Sequence, residues 1–174
     1  MIKEISGKIK WYDILNPSQG DLDFLQTHFN FHPLIIEELK KPSTRSKVEI
    51  YDEYLFIVYY LPQYDYQKRT SRAIEIDFLV TKDTLITVRY ENIEPLDELF
   101  KDLEKNLALQ EKILRKNPGY LLYEILERGL EFSLRQLVHI NEKIKMVEDG
   151  IYKGENKKMI QEISYVKRDI LDQR

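Results

Sequence analysis

Two stretches, KVEIYDEYLFIVYYL and AIEIDFLVTKDTLITVRY, carry apolar residues with a two-residue period, and after Arg89 that period does not return. From Pro95 onward apolar residues recur every three or four positions instead. This change of period constrains the fold more than any other feature. Side chains alternate across a strand but return to one face of a helix about every 3.6 residues. The chain therefore divides into an α/β domain over 1–117 and long helices over 118–174.

Each β stretch reads as a hairpin. Asp52-Glu53 turns the first, and its second strand, YLFIVYYL, is apolar on both faces, as in a sheet covered on both sides. Lys82-Asp83 turns the second, with Ile74, Ile76, Phe78 and Val80 sharing one face and Ile86, Val88 and Tyr90 continuing the pattern. The polar segment QYDYQKRTS between the hairpins is expected as a loop. Ahead of them, KIKWYDI suggests a first strand, and NPSQG breaks the chain before a short helix that Ser18 or Asp21 can cap. A helix of about two turns then begins at His32-Pro33, where the missing proline N–H costs nothing.

EPLDELFKDLEKNLALQEKIL is expected as one helix, with Leu96, Leu99, Phe100, Leu103 and Leu107 on one stripe. Asn117-Pro118-Gly119 interrupts it. A helix from about Tyr120 to Ile151 follows, far longer than the mean of roughly 11–12 residues. Its positions Leu126, Leu130, Leu137, Ile140, Ile144, Val147 and Ile151 approach a coiled-coil seam, interrupted at Ser133. After GENK, Met159, Ile163, Val166 and Ile170 begin the second arm of an antiparallel helical hairpin. That arm stops in mid-pattern at Arg174, which suggests a chain cut from a longer one. The expected fold class is α/β: a mixed β-sheet sandwiched between helices, followed by a long helical hairpin.

Composition narrows the function. A net charge of −3, from 27 basic and 30 acidic residues, gives no basic excess to recommend nucleic acid. Of the 12 Tyr, Tyr51, Tyr54, Tyr59 and Tyr60 fall in strands without an accompanying Lys or Arg excess, so sheet packing explains them. The chain has no Cys, hence no disulfide, thiolate zinc site or cysteine nucleophile. MIKEISGKIKWYDIL has no secretory signal pattern, and the longest apolar run, Tyr54 to Pro62, falls well short of the roughly 20 residues needed to span a bilayer. His28 and His32 have zinc-like i, i+4 spacing, but a helix boundary at Asn30 and Pro33 breaks their common face. His139 reads as a solvated helix residue. Neither a GxSxG nor a phosphate-binding glycine loop occurs, and the reading is that the chain is not an enzyme.

Carboxylates remain. Glu124, Glu127 and Glu131 share a face of the long helix, and Glu37 and Glu38 stand side by side in the short one. Hard divalent cations favour oxygen ligands, and Mg²⁺ keeps much of its water. A solvated acidic face explains the same residues, and Glu37 has Lys41 at i+4 as an ordinary partner.

WYDILNPSQGDLDFLQTHFNFHPLIIEEL followed by RSKVEIYDEYLFIVYY resembles the cytoplasmic amino-terminal domain of CorA-type magnesium transporters. EIDFLVTKDTLITVRY is similar to the family's next hairpin, PGYLLYEILERGLEF and INEKIKMVEDGIY to its long helix, and VKRDILDQR to the returning helix. The resemblance implies the regulatory cytoplasmic domain of a homopentamer on the cytoplasmic face of the cell membrane. It also implies membrane attachment through carboxy-terminal helices, and transport of Mg²⁺, with Co²⁺ a further candidate. The family's Gly-Met-Asn signature, its membrane helices and its stalk are not in these 174 residues, so this chain alone conducts nothing.

By the same resemblance, Glu37, Glu38 and Glu127 are candidate ligands of a weak regulatory Mg²⁺ between neighbouring subunits. The family has Asp where Glu38 and Glu127 stand, and its principal partner carboxylate lies on the stalk. Cation binding would offset the repulsion between subunits and favour the closed state; loss of the cation would loosen them. The alternative is a free-standing soluble relative, a binding or scaffold protein without a channel. A metal-dependent hydrolase would need more converging His or Asp ligands than the chain supplies.

Overall fold

The computed structural model describes residues 2–65, 67, 70–154 and 156–172. Six strands form one sheet: β1 Ile2–Ser6, β2 Lys10–Leu15, β3 Lys47–Ile50, β4 Leu55–Asp65, β5 Thr70–Val80 and β6 Thr84–Arg89. Their spatial order is β1-β2-β6-β5-β4-β3. β2 and β6 pair in parallel, while β1 with β2, β5 with β6 and β3 with β4 are antiparallel. The helices are α1 Gln19–His28, α2 Pro33–Glu38, α3 Glu94–Lys105, α4 Leu107–Leu114, α5 Pro118–Tyr152 and α6 Asn156–Asp172. The mixed sheet, the covering helices and the long α5 match the expected fold class.

Both expected turns are present, closed by Tyr51 N–H to Tyr54 O and Thr81 N–H to Thr84 O, each 2.9 Å. Ser18 caps α1 in a reciprocal capping box with Asp21. Three local expectations are corrected. β1 lies outside the expected elements, because only Ile5 of its residues is buried and the strand carries little alternation. The segment 63–71 is partly strand, β4 extending to Asp65 and β5 starting at Thr70; its Tyr66, Lys68 and Arg69 lie outside the described residues. The helix expected over 94–114 breaks at Asn106. There the backbone N–H closes α3 on Asp102 O, and the side-chain oxygen accepts the Leu109 N–H at 3.1 Å to start α4. Leu107 consequently leaves the stripe and is exposed.

Packing divides the chain into two compact units: Met1–Tyr60 with Glu75–Arg128, and Leu61–Ile74 with Gly129–Arg174. In the first unit, successive residues of β2 point to opposite faces of the sheet. Tyr12 and Ile14 join the core with Leu22 and Leu25 of α1 and Ile35 and Ile36 of α2. Trp11 faces the other way and packs its ring 5.0 Å from Phe100 of α3. Beside it lies a buried ion pair: Arg89 Nη2 donates to Asp13 Oδ2 at 2.8 Å and to Asp97 Oδ1 of α3 at 2.6 Å. Thr87 Oγ1 donates to Asp13 Oδ1 at 2.8 Å and accepts from Trp11 Nε1 at 3.1 Å. The network joins the parallel strands β2 and β6 to α3.

In the second unit the stripe expected for α5 holds at Ile140 and Val147 and fails elsewhere. Leu130, Leu137, Ile144 and Ile151 are exposed, and the buried face runs through Phe132, Gln136, Ile140, Lys143, Val147 and Gly150. Two polar residues belong on that face because Tyr64 receives them. Its backbone N–H donates to Gln136 Oε1 at 3.2 Å, and Lys143 Nζ sits 4.9 Å from its ring centre. The His139 ring also stacks on Tyr64 at 4.8 Å, so it is not the freely solvated side chain expected. At Gly150 the backbone comes so close to Met159 of α6 that a Cβ would overlap the thioether, which ties the two arms near their turn.

Candidate functional site

Glu37 and Glu38 end α2, whose position is set from its first residue. The His32 ring nitrogen accepts the Leu34 N–H at 3.2 Å, capping the helix, and the His32 N–H donates to Tyr54 Oη at 2.9 Å. Tyr54 is itself held edge-on to Phe31 and stacked on Tyr51, with centroids 4.8 and 4.5 Å apart. His28 instead bonds its Nδ1 to Phe24 O at 2.9 Å. The two histidines thus serve local structure, each at its own helix end.

The adjacent glutamates point to different lysines. Glu37, 68% exposed at the side chain, pairs with Lys40, three residues on. Glu38, 39% exposed, pairs with Lys47 of β3, which also reaches Glu49 at 3.0 Å. Burial alone would depress the Lys47 ammonium, but hydrogen bonds to Glu38 and Glu49 outweigh it and hold the pKa above its usual value. Those bonds in turn, with a 3.0 Å bond from Tyr51 Oη, hold Glu49 below the ordinary carboxylate range. Lys41, expected as the partner of Glu37, is replaced in that role by Lys40.

Glu127 lies on the exposed face of α5 and accepts a 2.8 Å hydrogen bond from Tyr123 Oη. That bond raises the Tyr123 phenol, because an anion beside it opposes its ionisation. Among the described residues no group of three or more His, Cys, Asp or Glu side chains could hold a metal ion. Glu37 and Glu38 share a helix end with Glu127 on a separate helix, and the three do not form a ligand set within one chain. Each is nonetheless a solvent-reachable oxygen donor whose present partner a cation could replace.

One pair of acids escaped the sequence reading. Glu75 and Asp77 of β5 are buried, at 5% and 1% exposure, under the connection that leaves α2. Their alternation with Ile74, Ile76 and Phe78 made them look like the solvent face of a half-buried strand. The only available signal was the near-continuous apolar character of the neighbouring YLFIVYYL, which marks a sheet covered on both sides.

Comparison with proteins of known structure places this architecture in a class. The fold is that of the soluble domain of CorA from Methanocaldococcus jannaschii, with a TM-score of 0.80 at 18% identity, covering 97% of this chain and 66% of that one. The complete CorA magnesium transporter from the same organism gives a TM-score of 0.74 at 19% identity over 98% of this chain and 53% of that one. At sequence level, the family described as CorA-like Mg²⁺ transporter protein matches residues 6–174, and this chain belongs to it. The cobalt/magnesium transport protein CorA of Thermotoga maritima is 24% identical over 147 residues, 84% of this chain and 41% of that relative. This chain therefore spans well under half the length of that curated relative. Among the described residues no helix is long and apolar enough to cross a membrane.

Proposed function

We propose that this chain is the regulatory, metal-sensing cytoplasmic part of a divalent-cation transporter, non-catalytic in itself and attached to the membrane through further helices. The observation that carries the reading is the family match over residues 6–174. The transported cation is Mg²⁺, with Co²⁺ a further candidate because the Thermotoga maritima relative carries both in its name. The working assembly is a homopentamer. Its formation gives the exposed Leu130, Leu134, Leu137 and Val138 of α5 apolar surface to cover.

In this reading Glu37, Glu38 and Glu127 face acids of a neighbouring copy, since among the described residues of one chain no three such side chains converge on a metal site. A bound Mg²⁺ would supply divalent charge that offsets carboxylate repulsion across the subunit boundary. Glu37 and Glu38 would exchange Lys40 and Lys47 for that charge, and Glu127 would give up Tyr123. Exchange of existing partners makes the net affinity weak, as a site that must empty at low Mg²⁺ requires. Release leaves the acids mutually repelling and shifts the assembly away from its closed state.

The test is Mg²⁺ uptake by the parent protein, native and with Glu38→Gln and Glu127→Gln together. The native protein is expected to slow uptake as internal Mg²⁺ rises, and the double variant to lose that shut-off. Equal shut-off in both removes the sensing role from these residues. A parent gene encoding no apolar helices of about 20 residues, together with no uptake, replaces the reading with a free-standing binding or scaffold protein.

A further inference from the structure

Glu75 and Asp77 stand two apart on β5, so their side chains share one face of the strand, and the charge of Glu75 acts on Asp77. That face also carries Leu79, which shares its core with Leu39 just beyond α2. Two ionised carboxylates so placed and buried would repel without water to screen them. Among the described residues neither forms an ion pair, and their partners are one backbone N–H and two phenols. Asp77 Oδ1 is buried and accepts no hydrogen bond. A proton on that atom, donated to Glu75, resolves both the repulsion and the orphan oxygen.

The partners decide which carboxyl is ionised. Glu75 accepts the Ser43 N–H at 2.9 and 2.8 Å on its two oxygens and lies 2.7 Å from Tyr60 Oη. Asp77 has the Tyr90 hydroxyl alone, at 3.0 Å. With a single donor and deep burial, Asp77 is the protonated member of the pair. Among the described residues no cation forms an ion pair with either carboxyl. β4 contributes Tyr60, Tyr90 follows β6, and α2 contributes the negative charge of Glu38, itself paired with Lys47 of β3. Burial first, then the Glu75 charge, pushes Asp77 up to about 8, and burial with the same two acids raises both phenols.

The same atoms hold down the segment between α2 and β3. Glu75 grips Ser43 N, Tyr60 Oη lies 2.8 Å from Ser43 O, and Tyr90 Oη lies 3.3 Å from Leu39 O. We propose that Glu75 and Asp77 form a proton-binding latch, in which one shared proton clamps residues 39–46 and its loss frees that segment and the end of α2. Neither carboxyl hydrogen-bonds to Glu37, Glu38 or Glu127, and the latch holds whether or not those acids bind a metal. Because α2 ends in Glu37 and Glu38, the latch couples proton concentration to the position of those two charges.

Infrared titration and hydrogen exchange on the 174-residue chain test the latch. A protonated-carboxyl stretch is expected at about pH 6, half lost near pH 8, and missing from Asp77→Asn. Tyr90→Phe, which removes the donor that favours the Asp77 anion, is expected to move the same titration to higher pH. Amide protection over 39–46, corrected for intrinsic exchange, should fall roughly ten-fold or more between about pH 6 and pH 9 in the native chain. In Asp77→Asn, whose amide donates to Glu75 at every pH, protection should stay level. No carboxyl band at pH 6, or an equal fall of protection in native and Asp77→Asn chains, overturns the proposal.

Discussion

Substituting Asp13→Ala should be among the most damaging single changes in the chain. Asp13 is 2% exposed and Arg89 1%, and their carboxylate and guanidinium meet through two hydrogen bonds of 2.8 and 3.2 Å. Removing Asp13 leaves the buried guanidinium with Asp97, which is 23% exposed, and takes the acceptor from Thr87 as well. Breaking a buried pair in this way costs about 3–5 kcal/mol, against a total stability of about 5–15 kcal/mol for a typical domain. The control is Lys40→Ala, which breaks a pair exposed at 43% and 68% and should cost less than about 1 kcal/mol. Replacing both buried partners, Asp13→Leu with Arg89→Met, should recover much of the loss, since no charge is then stranded. Urea unfolding followed by circular dichroism measures all three. A cost for Asp13→Ala below about 1 kcal/mol, or a double variant no better than the single, would refute the reasoning.

Ser18→Ala, which empties the capping box of α1, should cost about 1 kcal/mol in the same assay. Asp77 carries a folded pKa of about 8, raised above its unfolded value, so its stabilisation is complete below the unfolded pKa. Between about pH 4 and about pH 8 the folded chain holds a proton that the unfolded chain releases, and stability falls by about 1.4 kcal/mol per pH unit relative to Asp77→Asn. Urea midpoints of the two chains across that range should diverge accordingly; parallel curves would rule out the raised pKa. Mg²⁺ at its dissociation constant should stabilise the chain by only about 0.4 kcal/mol, and at ten-fold excess by about 1.4 kcal/mol. Thermal melting at constant ionic strength should show that small rise in the native chain and not with Glu38→Gln and Glu127→Gln; an equal rise in both would mean general screening of acidic surface.

Local chemistry made much of the fold legible. Ser18 with Asp21, Pro33 after His32, and the turns at Asp52-Glu53 and Lys82-Asp83 each determine their geometry within a few residues. What the sequence concealed depends on partners distant in the chain. The buried face of α5 passes through Gly129, Gln136, Lys143 and Gly150, residues that no hydrophobic count selects. Leu61 packs at Gly129, Tyr64 receives Gln136 and Lys143, and Met159 packs at Gly150. Asp13, Glu75, Asp77 and Arg89 look like ordinary polar alternation until helices cover both faces of the sheet. The candidate acids Glu37, Glu38 and Glu127 came from family resemblance, because charge and spacing alone fit an ordinary helix surface equally well. Their lysine and tyrosine partners became visible only in three dimensions.

The central claim is that these acids sense Mg²⁺ within an assembled transporter, and protease protection of the parent protein in membranes addresses it most directly. Cleavage of the native protein should be slow in Mg²⁺ and fast after chelation, and with Glu38→Gln and Glu127→Gln it should be independent of Mg²⁺. Protection that responds to Mg²⁺ equally in the native protein and the double variant would contradict the account.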